Sequence, residues 1–282
     1  RRAGERAGEK KVCPMRHRKE CPGSSDVSSA SSSVETSDRE RWLRVLMMHG
    51  LESGPQGSKA ARLQQSFDTR VPFMDISSMR KIHKNMYLLA LVLWLAFGMQ
   101  ILLWMLLFSS YTIPELLFRC PCVCLVMAAG GWLLFQRAAQ SIVDRCLQIQ
   151  EEAVQDFSPD VVVGSSFGGG IASLLLGRGT WAGPTLLLAP ASRRILNFIT
   201  LGPDSLRVSK SSLEKGTIRI HVVHGTDDSV IPLKDSQLLV EAYQSQGIPA
   251  VLEVVTDDHR LNNFCTAEKL QELVSQLAAM AT

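Results

Sequence analysis

The chain has 282 residues, 46% of them hydrophobic and 20% charged, with a formal net charge of +3. That length suits one large domain with a buried core plus appendages, and a charge so near balance gives no electrostatic ground for a polyanionic partner such as nucleic acid. Seven cysteines show no disulfide framework, because three crowd into Cys120-Pro-Cys-Val-Cys124 inside an apolar run. A reduced, cytosol-facing catalytic part is therefore expected. The crowded trio lacks the two-plus-two spacing and nearby histidines of a zinc site, so no metal is expected there, and membrane-embedded thiols open to acylation are the better reading.

Residues 1–40 are rich in Arg and Lys and pass into a Ser-rich run at 24–33. So few apolar groups cannot offset the entropy of ordering, and a disordered tail is expected. It lacks the continuous apolar core of a secretory signal. A solvated tail is the simpler role for its basic half, with contact to anionic lipid as the alternative.

Residues 41–78 open the main domain. Arg44-Val-Leu-Met-Met48 reads as a buried parallel strand leading into His49-Gly50. A loop of turn formers follows, and Ser58 is expected to cap the helix begun by Lys59. Val71-Pro-Phe-Met-Asp-Ile76 is predicted as a second strand, its proline near the start where a missing donor is tolerated. Strand, helix, strand is the alternation of an α/β sheet.

Residues 79–140 interrupt it. No charged residue occurs in the 28 positions from Met86 to Ile113, more than the roughly 20 needed to cross a bilayer as a helix. A weaker apolar run follows at 116–135, containing Arg119, Pro121 and Gly130-Gly131. Two transmembrane helices at about 86–108 and 116–135, joined as a hairpin, are predicted. Arg80, Lys81 and Lys84 before it and Arg137 and Arg145 after it place both ends in the cytosol by the positive-inside tendency.

Residues 141–282 resume the domain. Ile142, Val143, Cys146, Leu147 and Val154 predict an amphipathic helix, and Asp160-Val-Val-Val-Gly-Ser-Ser-Phe-Gly-Gly-Gly-Ile-Ala172 predicts strand, tight turn and helix. Further strands are expected at 185–189, 218–223 and 251–255. Leu238, Leu239, Ala242 and Tyr243 mark one helix face and Leu270, Leu273, Val274 and Leu277 the closing one. The ambiguous stretch 191–216 is read as a small cap over the site.

The turn contains Gly164-Ser-Ser-Phe-Gly168, a G-x-S-x-G pattern in strand-turn-helix context. A serine hydroxyl needs a base in hydrogen-bond reach and an acid to orient that base. Ser166, Asp228 and His259 supply all three, each just after a predicted parallel strand, and strand ends converge at one edge of such a sheet. Ser165 is the competing nucleophile and Asp227 the competing acid. His49 and His224 are assigned to orienting loops, and His221 and His83 to no chemistry. No phosphate-binding or dinucleotide fingerprint is present.

On these residues, with His49-Gly50, His224-Gly-Thr-Asp-Asp-Ser-Val-Ile-Pro232 and Asp258-His259, the chain resembles the α/β-hydrolase superfamily. Within it the chain looks like the small, nearly cap-free bacterial-type esterases, which carry a similar His-Gly-Leu-Glu-Ser-Gly-Pro loop. The resemblance covers 44–282 apart from the inserted hairpin. It implies a mostly parallel sheet of about six strands with flanking helices, Ser166 as nucleophile, His259 as base, Asp228 as orienting acid, and an oxyanion hole from the backbone N–H groups of Leu51 and Phe167. It also implies a serine hydrolase that cleaves carboxylic esters through an acyl-enzyme without organic cofactor or metal. The hairpin adds a membrane partner and lipid esters to the expected substrates. A thioesterase or amidase, a non-catalytic membrane scaffold, and a hairpin foreign to the mature protein stay open as alternatives.

Overall fold

The computed structural model describes residues 42–76, 94–95, 98–99, 102, 113–199 and 203–280. Strands β1 (Arg44–Met48), β2 (Asp68–Arg70), β3 (Val161–Ser165), β4 (Thr185–Leu188), β5 (Ile220–Gly225) and β6 (Ala250–Val255) form one sheet in the order β2-β1-β3-β4-β5-β6. Every pairing is parallel. The chain steps from β1 outward to β2 and then returns to the other side of β1 with β3. The sheet therefore has its switch point at the carboxyl ends of β1 and β3, the place where open α/β sheets form crevices.

Successive residues of a strand face opposite sides, and both sides here are apolar, so both must be covered. Val45, Met47, Val161, Val163, Leu186 and Leu188 pack on one side against α1 (Ser58–Leu63) and α7 (Ala267–Ala279), through Ala60, Leu63, Leu270, Leu273, Val274 and Leu277. Leu46, Met48, Val162, Leu187 and Val222 face the other. There they meet α2 (Ile113–Phe157), α3 (Phe167–Arg178), α4 (Ser192–Ile199) and α6 (Leu233–Gln244) through Val143, Leu147, Ile171, Leu175, Ile195, Leu239 and Tyr243. Burying each such Val or Leu side chain stabilises by about 1.5–3 kcal/mol. The result is an α/β fold with a six-stranded parallel sheet and flanking helices.

Several expectations are corrected. The two-helix hairpin is not found: among the described residues no helix is long and apolar enough to cross a membrane. Its first predicted span, 86–108, lies almost wholly outside the described residues. Its second, 116–135, is the opening part of α2, which runs unbroken to Phe157. Pro114 sits in the first turn, where no N–H is required, and Gln136-Arg-Ala-Ala-Gln140 is made of strong helix formers. Nothing ends the helix at 135–141, where the predicted span stopped and the domain was expected to resume. The amphipathic segment is therefore its continuation, with Ala139, Ile142, Val143, Cys146 and Leu147 buried. The predicted tail, 1–40, and His83 lie outside the described residues.

The second strand is Asp68–Arg70, not 71–76. Pro72 has no donor for a ladder, and the Met74 N–H is given instead to the His49 ring at 3.3 Å. Gly57, not Ser58, is the N-cap of α1. The stretch read as a cap forms α4, a 3-10 turn at Pro203–Leu206 and α5 (Lys210–Glu214). Ile195, Leu196, Ile199, Leu206 and Val208 are part of the larger core, because their apolar groups fill the space beside α3 that its glycines leave open.

Candidate active site

The five residues of β3 lead to Ser166, which takes φ 52° and ψ −116° as the N-cap of α3. A positive φ is unusual for a non-glycine residue. It is held by backbone bonds on both sides: Ser166 N–H donates to Leu188 O at 2.8 Å, and Ser166 O accepts from Ala191 N–H at 2.9 Å and Gly170 N–H at 3.2 Å. The turn also needs its glycines. A Cβ on Gly168 would lie 2.1 Å from Met48 O, and one on Gly164 2.7 Å from the Gly169 Cα. Ser165 ends β3 buried at 8% exposure, whereas Ser166 is half-buried.

The Ser166 Oγ lies 2.9 Å from His259 Nε2, and His259 Nδ1 lies 2.7 Å from Asp228 Oδ2. A donor at Nδ1 leaves Nε2 free to accept the serine proton, so the carboxylate selects the tautomer. Asp228 has a side chain only 1% exposed. Its Oδ1 accepts from Val230 and Ile231 N–H, each at 2.8 Å, which satisfies a charge that burial would otherwise penalise. Asp227, the competing acid, is exposed and accepts the Thr226 hydroxyl at 3.3 Å.

His224 braces the same loop. Its buried ring donates from Nε2 to Ile231 O at 3.0 Å and accepts the Ser236 hydroxyl at Nδ1 at 2.8 Å. Nε2 is also 3.5 Å from Asp228 Oδ2. Burial lowers its pKa below the usual imidazole value, opposed by the Ile231 carbonyl and then by Asp228.

On the other flank, the Gly50 backbone lies against the serine: a Cβ there would be 3.2 Å from Ser166 Cβ and 3.7 Å from its Oγ. This puts the Gly50–Leu51 peptide beside the hydroxyl, while the Phe167 N–H belongs to the first turn of α3, whose donors have no intrahelical acceptor. His49, 1% exposed, accepts Met74 N–H at Nε2 and so donates from Nδ1 to Gly50 O at 3.0 Å. In a trans peptide the C=O and N–H are opposed, so holding the Gly50 carbonyl aims the Leu51 N–H. The Gly50 N–H in turn donates to Ser53 Oγ at 3.0 Å. His221 takes no part: it meets Glu253 across β5 and β6 at 2.9 Å.

Sequence reasoning missed Asp257. Its buried carboxylate accepts Asp258 N–H at 2.8 Å, Asn263 and Phe264 N–H at 2.9 Å each, and the Asn263 amide at 3.3 Å. It winds the loop that carries His259. The available signal was an aspartate at the mouth of a turn, where its side chain can bond to backbone just ahead.

No family model matches the chain, and no curated protein does. Solved structures do. One from Xanthomonas campestris, provisionally assigned as a hydrolase of the alpha/beta superfamily, is 18% identical over 83% of this chain and 99% of that one, with a TM-score of 0.46. Est1E from Butyrivibrio proteoclasticus is 14% identical over 86% and 90%, TM-score 0.43. The Bacillus cereus carboxylesterase is 19% identical over 49% and 61%, TM-score 0.37. At such identities and scores the likeness carries no argument, and the functional reading rests on the site's own geometry.

Proposed function

We propose that the protein is a serine hydrolase that cleaves carboxylic esters through an acyl-enzyme. The observation that carries this is the line Asp228 Oδ2, His259 Nδ1, His259 Nε2, Ser166 Oγ, with steps of 2.7 and 2.9 Å ending on a serine at positive φ. Ser166 Oγ attacks the ester carbonyl as its proton passes to His259 Nε2. The Leu51 and Phe167 N–H groups receive the oxyanion, a contribution of about 3 kcal/mol per donor at the transition state. The C–O bond to the alcohol then breaks, and the Nε2 proton goes to the departing alkoxide. Water, deprotonated by the same nitrogen, attacks the acyl-serine, and collapse returns the proton to Ser166 and releases the acid. Asp228 stays ionised throughout and stabilises the transient imidazolium.

The substrate is assigned an apolar acyl group. Phe73, next to the Met74 that holds His49, and Val230, next to the Asp228 carboxylate, are 64% and 44% exposed. A membrane partner fits the same reading, as does a cytosol-facing site. The apolar sequence of 86–135 supports it, and so do Trp132, Leu133 and Leu134 on α2, exposed at 49%, 57% and 72%. Lipid esters and acyl thioesters delivered along a bilayer are then the natural substrates, since the same acyl transfer serves both.

Labelling by a fluorophosphonate probe tests the mechanism. The wild-type chain is expected to label and Ser166→Ala to lose both labelling and turnover of p-nitrophenyl esters. Undiminished labelling of the variant sinks the assignment. A panel of oxygen esters and thioesters of graded chain length then ranks the substrates.

A further inference from the structure

Helix α1 follows directly on the loop that carries Gly50 and Leu51, and its polar side faces the loop that carries His259, some 200 residues later in the chain. Lys59 Nζ donates to Arg260 O at 2.6 Å. Arg62 Nη1 donates to Cys265 O and, at 3.2 Å, to Asn262 O. Glu52, at the start of the same segment, meets the Arg260 guanidinium at 3.5 Å. The last pair is largely exposed to solvent and contributes little. The two cations are different: they take three carbonyls, those of Arg260, Asn262 and Cys265, from the same loop whose N–H groups at Asp258, Asn263 and Phe264 are already drawn to the Asp257 carboxylate.

We propose that Lys59 and Arg62 are positioning residues that bracket the His259 loop against α1. This rests on the reading of His259 as the catalytic base. Asp257 gathers the loop's donors from within, and α1 gathers its acceptors from outside. The loop between β6 and α7 has no regular structure of its own, so these charge-assisted bonds fix its path. Because α1 is continuous with the Gly50–Leu51 arm, one rigid piece sets both the oxyanion donor and the base against Ser166. The Ala60 and Leu63 side chains anchor that piece in the core, which lets the opposite face serve the loop.

The aliphatic stem of Lys59 is half-buried, so Lys59→Met keeps the packing and removes only the donor. Folded Lys59→Met and Arg62→Ala are each expected to lower kcat for a p-nitrophenyl ester and the rate of fluorophosphonate labelling by about 10- to 100-fold, the scale of a misplacement near 1 Å. KM should move less than threefold, since neither residue touches substrate, and Lys59→Arg, which restores a donor, should recover most of the rate. A folded Lys59→Met with wild-type kcat overturns the proposal. Should that variant unfold, Arg62→Lys takes its place under the same criteria, because the shorter lysine side chain does not carry its nitrogen to the position from which Arg62 Nη1 meets both carbonyls. Amide hydrogen exchange of 257–265 gives a readout independent of activity: exchange in Lys59→Met should quicken there and not in β3 or β4. If the wild type neither labels nor turns over, the esterase reading fails alone; unchanged exchange of the loop in the variant overturns the bracket itself.

Discussion

Ser166 holds a backbone conformation that costs a non-glycine residue about 1–3 kcal/mol, and the cost is met by neighbours rather than by the serine. Leu188, Gly170 and Ala191 fix its peptide groups, so the hydroxyl is presented before any substrate arrives. The same reasoning applies to His224, whose ring is fully buried with a donor and an acceptor both engaged. Its folded-state pKa is depressed by burial, so the folded protein prefers the neutral ring while the unfolded chain takes up a proton near pH 6.5. Stability from this group is complete above that value and is lost as pH falls below it toward the folded pKa. Urea midpoints from pH 8 to pH 5 are expected to decline on the acid side, and to decline less in His224→Gln. An equal decline in both proteins would show that another group governs the acid limb.

The unit of β3, the turn and α3 works as an element because its glycines let three backbones meet. Gly168 passes so near β1 that a methyl group would enter the Met48 carbonyl, and neither strand nor helix can retreat, since Met48 pairs with Gly164 in the sheet. Gly168→Ala is therefore expected to destabilise by about 3 kcal/mol or more, at or beyond the upper end of ordinary overpacking, and to lose the proposed esterase activity even where it folds. Denaturation of the purified variant measures this, and a loss under 1 kcal/mol would mean that α3 can shift on the sheet. Helix α2 makes the opposite point. Its second half is fitted to the core through Ala139, Ile142, Val143, Cys146 and Leu147, but from Trp132 to Leu134 its apolar side chains are exposed. One helix thus changes environment along its length.

For the whole molecule, the proposed membrane location draws on that exposed run and on the uncharged stretch from Met86 to Ile113. The full chain is expected to remain in the pellet after carbonate extraction and to be released by detergent. Recovery of the full chain as a monodisperse monomer without detergent would remove the membrane from the reading and leave the hydrolase intact. The sheet order contributes at this scale as well. With β1 and β3 adjacent at the switch point and β5 and β6 at one side, loops from four strand ends reach a single edge, and Ser166 lies where they meet.

How much of this was legible in the chain depends on the range of the interaction. Apolar runs of four to six residues bounded by turn formers marked five of the six strands, and the spacing of Leu270, Leu273, Val274 and Leu277 marked the buried face of α7, because burial imposes a local period. The juxtaposition of Ser166, Asp228 and His259 was legible because each follows such a strand, and parallel strands end on one edge. Where the pattern was not periodic, tertiary contact decided. The edge strand moved to Asp68–Arg70 because the Met74 N–H was claimed by His49, and 191–216 joined the core because the glycines of α3 left room for Ile195. The roles of Lys59 and Arg62 had no local mark at all. Their partners are backbone atoms, which every sequence supplies equally, and only the fold brings those atoms within reach.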